Sequence, residues 1–505
     1  MLWRMTGDDA VADSALDASL QALVGRQGTV QVAGDPVDGP AIRAWCDAMS
    51  EGNPSFTDEA AAAAGPHGGI VAPPATLNMW TMPDRIEGGT AGRDTDQPHH
   101  AAYQLLDDAG FTGVVATNSD QAYERHLRPG DVVSVQTTLS GISPQKQTAL
   151  GIGYFVTTEV AYANQQGEAV GSLSFRVFKF RPGTGRSRGD GPAGTTPDDS
   201  PRPERPRPRW NQDQAWHWEG LRQRELRIQR FTGSGRLVHP PVVADPVTHS
   251  MDYDWVVATG RGFLYSWTAP EHPKAPAFDY PLVVGLVELE EGVRMVSNIV
   301  GVPPDQLEIG MPLEVCWLDS HDDVTLHQFR PARIERREGT LTMDEVTVGD
   351  PLPPCPIDVT RDLVVLGALA TFDQQDVHHD RDAAREKGLP DIIMNILTSS
   401  GLVARWLGDW AGDGAVLRSL RIGLGVPNHP GDVMTMTGSV TGSVAGSVAG
   451  SVTGSAAGSV TGSVETGEVG AVTVSFVGAN SLGSHVHGSA ELVLPEGRRG
   501  AGENA

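Results

Sequence analysis

Residues 371–384 read TFDQQDVHHDRDAA, four aspartates and two adjacent histidines in a region that is otherwise apolar and glycine-punctuated. Acids and imidazoles collect in wet turns at no cost, so this stretch by itself reads as a solvated loop before a helix. An earlier stretch changes that reading, because residues 46–62, CDAMSEGNPSFTDEAAA, have the same skeleton without the imidazoles. The signals that follow also recur in order. After the earlier stretch come GIVAPPATLNMWTMP (69–83), RPGDVVSVQTTLSGI (128–142) and AYANQQGEAVGSLSFRVFKF (161–180); after the later one come IIMNILTSSGLVARWLGDW (392–410), HPGDVMTMTGSV (429–440) and VGANSLGSHVHGSAELVL (477–494). P-G-D-V recurs at 129–132 and 430–433, and A-N-x-x-G-x-x-V at 163–170 and 479–486. Each is a common turn, but their shared order indicates an internal duplication. Each half reads as an early loop, one long apolar helix, and strands of period two such as VVSVQTTLSG and AVTVSFVG. The class is α+β, a single helix wrapped by a curved antiparallel sheet, twice.

The 505 residues exceed one core and suggest about three domains. With 63 acidic and 38 basic residues, a net charge of −25, the chain repels phosphate backbones, which argues against a nucleic-acid partner. Cys46, Cys316 and Cys355 lie far apart with no C-x-x-C, so neither a disulfide framework nor a zinc site is encoded, and a reducing compartment fits. The opening MLWRMTGDDAVADS lacks a basic region followed by an apolar run, and no stretch approaches the roughly 20 apolar residues of a membrane span. A cytoplasmic protein without membrane contact is expected.

Residues 181–209, RPGTGRSRGDGPAGTTPDDSPRPERPRPR, offer almost nothing to bury and read as a linker. RIERREGT (333–340) marks a second boundary, and the Gly/Ser/Val repeat at 437–470 reads as an expanded strand or hairpin tip without a function of its own. The expected division is 1–180, 181–209 (linker), 210–335 and 336–505.

The duplicated halves resemble the hot-dog fold, and the early loops resemble the MaoC-like (R)-specific enoyl-CoA hydratases, whose signature is D-x-N-P-[LIV]-H-x5-[AS] with an aromatic just upstream. Asp373, Val377, His378 and Ala384 match it, with Phe372 before them; Gln375 and Asp376 replace N-P. The first half keeps Asn53-Pro54 and Ala62 but has Glu51 for the acid and Phe56 for the histidine. The resemblance implies Asp373 and His378 as the catalytic pair. Hydrating a 2-enoyl thioester requires a water activated toward C3 and a proton for C2, which an acid and a base on one loop can supply. Backbone N–H groups at the start of the 392–410 helix suit the thioester oxygen. His379 and Asp380 are expected to face solvent or brace the loop, and Asp376 to cap the next helix. The first half is expected to complete a double hot dog and shape the acyl pocket, with Pro73-Pro74 holding its helix open or displaced.

Residues 210–335 have the strand spacing of a five-stranded OB barrel. They resemble the zinc-ribbon plus OB domain of acyl-CoA thiolase-associated proteins, but the four cysteine positions hold Phe231, Ser234, Asp245 and Thr248, while Gly235, Arg236, Leu237, Pro240, Pro241 and Pro246 remain. A degenerate ribbon without zinc is expected, and the spacing of His239, Asp245 and His249 does not replace it. No metal or cofactor is implied elsewhere. The domain order resembles a fusion of the large (hot dog plus OB) and small (catalytic hot dog) subunits of actinobacterial steroid side-chain enoyl-CoA hydratases. That implies a bulky steroid-derived enoyl-CoA as substrate and a thiolase-like aldolase docked through the OB domain; a homodimer stays open. The rival readings are a non-catalytic acyl-CoA-binding scaffold for an aldolase and a polyketide-type dehydratase, whose His and Asp sit on separate halves.

Overall fold

The alternation in SVQTTL is that of a half-buried strand, and Val135, Thr137 and Leu139 are buried while their neighbours are not. In the computed structural model, which describes residues 15–82, 96–185, 203–444 and 469–496, nineteen such strands are found among the described residues. The chain forms two units: residues 1–191, 334–353 and 358–505 make unit one, and 192–333 with 354–357 make unit two.

Unit one contains one eleven-stranded sheet. Its first-half strands are β1 (Gln31–Val32), β2 (Gly113–Tyr123), β3 (Ser134–Ile142), β4 (Lys146–Gln147), β5 (Ile152–Ala163) and β6 (Ala169–Arg181). Unit two contains β7 (Arg227–Phe231), β8 (Leu237–Val238), β9 (Tyr253–Val257), β10 (Arg261–Thr268), β11 (Val283–Leu289), β12 (Arg294–Ile299), β13 (Pro312–His321) and β14 (Val324–Pro331). The sheet of unit one resumes with β15 (Pro351–Val359), β16 (Val416–Leu424), β17 (Asp432–Val444), β18 (Val469–Asn480) and β19 (Gly483–Pro495). Strand order is β1-β3-β5-β6-β2-β16-β19-β18-β17-β15, with β4 on β5. From the antiparallel seam between β2 and β16, the first half runs outward as β2, β6, β5, β3, β1 and the second as β16, β19, β18, β17, β15. Five strands of one half thus mirror five of the other, with β4 as an addition to the first, which is the duplication read from the sequence.

The longer helices are α1 (Gly39–Met49), α2 (Pro98–Asp108), α3 (Ala215–Arg222), α4 (Arg361–Ala370) and α5 (Ile396–Ala411). α5 is the helix that the second half wraps: Leu402, Val403, Trp406 and Leu407 are buried along it. The sheet approaches it closely enough that a Cβ on Gly438 would meet the Trp406 ring at 2.9 Å. The first half departs from expectation here. Its apolar segment is not a long helix but two 3₁₀ turns, Pro74–Thr76 and Met79–Thr81. Met82 is extended, ψ 136, as the residue before a proline tends to be, so the second turn has no continuation.

The repeat at 437–470 is paired at its described ends, with Val444 opposite Ala471; residues 445–468, like 186–202 of the linker, lie outside the described residues. Among the described residues no helix is long and apolar enough to cross a membrane.

Unit two holds a closed barrel, β10-β11-β12-β14-β13, and a three-stranded sheet, β8-β7-β9. The barrel is the OB fold, filled by Leu264, Val287, Met295, Leu313 and Phe329. The residues at the ribbon positions do not fit zinc. Phe231 is fully buried, and hydrogen bonds from Ser234, Val247 and Thr248 pull the Asp245 carboxyl down to about 2. A phenyl ring and two hydroxyls offer no thiolate for a tetrahedral site. Among the described residues no group of three or more His, Cys, Asp or Glu converges as a metal site requires.

Candidate active site

Both early loops are built by similar local rules. Asp38 caps α1 through the Ala41 N–H and Thr360 caps α4 through the Leu363 N–H. Just past each helix stands a non-glycine residue with left-handed backbone, Ser50 at φ 54 directly after α1 and Phe372 at φ 56 one residue beyond the Thr371 cap of α4. Such a conformation costs about 1–2 kcal/mol for a side chain with a Cβ. It reverses the chain and sends the next residue inward, Glu51 in one half and Asp373 in the other. Asp58 and Asp380 then cap the short helices Glu59–Ala64 and Arg381–Glu386. The expected cap, Asp376, instead starts the 3₁₀ turn Asp376–His378, which moves the helix start on to Asp380. His379 braces the loop through Nε2 to the Gln374 carbonyl at 3.2 Å.

In the second half, Asp373 and His378 are both buried, with His378 Nε2 3.5 Å from Asp373 Oδ2. His378 Nδ1 lies 2.7 Å from the Ile393 carbonyl, which can only accept, so Nδ1 carries a hydrogen and Nε2 is the nitrogen that faces Asp373. The Asp373 carboxylate is held at both oxygens: Gln375 Nε2 donates to Oδ1 at 3.3 Å and Asn395 Nδ2 to Oδ2 at 3.2 Å. α5 begins beside the pair. The Asn395 side chain takes the Thr398 N–H and its carbonyl the Ser399 N–H, while the N–H groups of Ile396 and Leu397 have no partner within the helix. Below them Ser399 Oγ meets His485 Nε2 at 2.8 Å, and burial lowers the His485 pKa, keeping that ring neutral.

The first half lacks the imidazole. Phe56 stands where His378 stands. Glu51 accepts from Arg336 Nη1 and the Asn53 N–H, at 2.9 and 2.8 Å. Burial still pushes its carboxyl above the usual carboxylate range, against the pull of Arg336. Beside it lies a cleft open to solvent, lined by Trp45, Phe56, Pro73 and His126 of the first half and by Ala404 and Leu407 of α5. His126 and His67, with ring centroids 4.2 Å apart, are both held neutral by burial.

The sequence pointed to Asp373 and His378, and the structure brings them together. It did not point to Asn395 or Thr371 as members of the site. The only signal was an Asn before an apolar run, which announces a helix cap and nothing more.

Family models match three segments: "FAS1-like, dehydratase domain region" over residues 22–172, "ChsH2, C-terminal OB-fold domain" over 255–318, and "MaoC like domain" over 345–464. The "Probable enoyl-CoA hydratase alpha subunit" of Thermomonospora curvata is 41% identical over 65% of this chain and 98% of its own length. The alpha subunit of the Mycobacterium tuberculosis "3-oxo-4,17-pregnadiene-20-carboxyl-CoA hydratase" is 40% identical over 60% of this chain and 92% of its own; the beta subunit is 39% identical over 29% and 95%. Two hot dogs with one intact Asp–His loop define a MaoC-like hydratase, and the chain belongs to the MaoC-like enoyl-CoA hydratase family. Within that family it carries, in one polypeptide, counterparts of an alpha and a beta subunit.

Proposed function

We propose that the chain hydrates the 2,3 double bond of a bulky, steroid side-chain enoyl-CoA, with Asp373 and His378 as the catalytic pair. The observation that carries this is their geometry: two buried proton-transfer groups 3.5 Å apart, each fixed by a further bond and each with one working atom on the shared side. When the pair holds one proton, on His378 Nε2, the Asp373 carboxylate accepts a proton from water as its oxygen bonds to C3. The imidazolium delivers its proton to C2, and a proton passing from Asp373 back to His378 resets the site. The Ile396 and Leu397 N–H groups are suited to the thioester oxygen as enolate charge develops.

The first half serves as a receptacle. The cleft beside Glu51 is mainly apolar, and among the described residues the buried Trp45 Nε1 there has no hydrogen-bond partner, which suits an apolar ligand bearing an isolated oxygen. The division 1–180, 181–209, 210–335 and 336–505 is the matching domain plan. A thiolase-like aldolase as partner follows from the sequence resemblance of 210–335, and apolar side chains exposed there, among them Val243, Met251, Trp255, Val257 and Phe263, support it. The test is loss of enoyl-thioester absorbance with a short 2-enoyl-CoA and with a steroid side-chain enoyl-CoA. Turnover of both, with a higher kcat/KM for the steroid substrate, is expected; turnover of neither would sink the reading.

A further inference from the structure

Asn395 stands just before α5 and is buried. Its Oδ1 accepts the Thr398 N–H at 2.7 Å, the ordinary bond of an N-cap, and that bond fixes which end of the amide is which. Nδ2 is therefore turned to the catalytic loop, where it donates to Thr371 Oγ1 at 3.0 Å and to Asp373 Oδ2 at 3.2 Å. The oxygen it reaches is the one that faces His378. Thr371 Oγ1 spends its own hydrogen on the Gly367 carbonyl at 2.8 Å, leaving a lone pair for Asn395. Among the described residues the groups bonded or ion-paired to the Asp373 carboxylate are thus Gln375 on its own loop, His378 on the next turn and Asn395 at the head of α5; of these only His378 is an ionisable side chain.

The duplication supplies an internal control. Where the live half has Asn395 and Thr371, the corresponding residues of the dead half are Pro73 and Met49. Loss of the long helix accounts for a missing cap at Pro73. It does not account for Met49, which ends an intact α1. The polar pair has gone together with the imidazole.

We infer that Asn395 is a positioning residue for hydration, its amide holding the Asp373 oxygen that faces His378 as a carboxylate aimed at the reacting water. This rests on the assignment of Asp373 and His378 as the hydrating pair.

Asn395→Ser and Asn395→Asp, made in the full chain, separate this role from capping, because both residues cap helices well and neither offers an N–H. Melting temperature, kcat, KM and the pH profile of kcat/KM are read with a short 2-enoyl-CoA. Asn395→Ser is expected to melt near the wild type, and both variants to keep KM within about twofold while kcat falls about tenfold or more, as for loss of a hydrogen bond to a charged group; Asn395→Asp, which sets a second carboxylate beside buried Asp373, is expected to melt lower. Without the donor the carboxylate is harder to ionise, so the acidic limb of kcat/KM moves to higher pH, further for Asn395→Asp. Wild-type kcat and pH profile in Asn395→Ser would overturn the inference and leave Asn395 a helix cap. If the wild type hydrates nothing, the assignment of function fails instead, and NMR titration of His378 still decides the positioning role. An upward shift of its pKa in Asn395→Ser upholds the contact's influence, and an unchanged titration overturns it.

Discussion

Arg336→Met is expected to destabilise unit one by about 3 kcal/mol. The guanidinium binds Glu51, Asp409 and Asp413, and its own side chain is only 19% exposed. Glu51 is 5% exposed, so removing the cation leaves a carboxylate inside the protein with, among the described residues, the Asn53 N–H as its remaining bond. Breaking a buried pair in this way costs about 3–5 kcal/mol. The lower end applies because Asp413 is 39% exposed and water screens its share. Urea unfolding would read the loss as a lower midpoint at unchanged slope. The pH dependence has a definite sign. The Glu51 carboxyl already lies above the usual range, and loss of Arg336 raises it further. A carboxyl whose folded pKa exceeds its unfolded one binds more protons when folded, so the variant's deficit is largest above the folded pKa and shrinks as pH falls through it. An unchanged midpoint at neutral pH, or a deficit that widens in acid, would refute the reasoning.

Asp373→Asn and His378→Ala are each expected to lower kcat about 100-fold or more with little change in melting temperature, whereas Phe56→Ala leaves the chemical step intact; steady-state kinetics at saturating substrate checks all three. Phe372→Gly is expected to be about 1 kcal/mol more stable than Phe372→Ala in denaturant unfolding, because only glycine escapes the cost of the left-handed backbone. Metal analysis of the purified chain is expected to find no stoichiometric zinc, and a chelator to leave its melting temperature unchanged; one zinc per chain released with unfolding would contradict the packing seen around Phe231 and Asp245.

The parts of this molecule legible in its sequence are those set by short spacings. Asp373 and His378 lie five positions apart, and a turn of that length brings two inward side chains together wherever it sits in the chain. The strand alternation was equally local, and the order of repeated turns disclosed the duplication. What escaped was decided at a distance. Asn395 reads as a cap because capping is a local property, and its second bond exists only because α5 returns beside the loop. The shift of the cap from Asp376 to Asp380 arose from a competition among neighbouring aspartates that composition does not rank. In residues 69–83 apolar content suggested a helix, but prolines at 73, 74 and 83 restrict the backbone more strongly than the apolar pattern favours a helix.

The seam between β2 and β16 also has a kinetic meaning. β2 forms with the first half, yet its outer hydrogen-bonding edge finds β16 only after the whole barrel region has been synthesised, so closure is a late, long-range event. Until then that edge can pair with a stranger. Once closed, the pairing is intramolecular, and joining both halves in one chain makes it independent of protein concentration, unlike the meeting of separate subunits. A chain stopped near residue 335 would keep the edge open and is expected to self-associate through it.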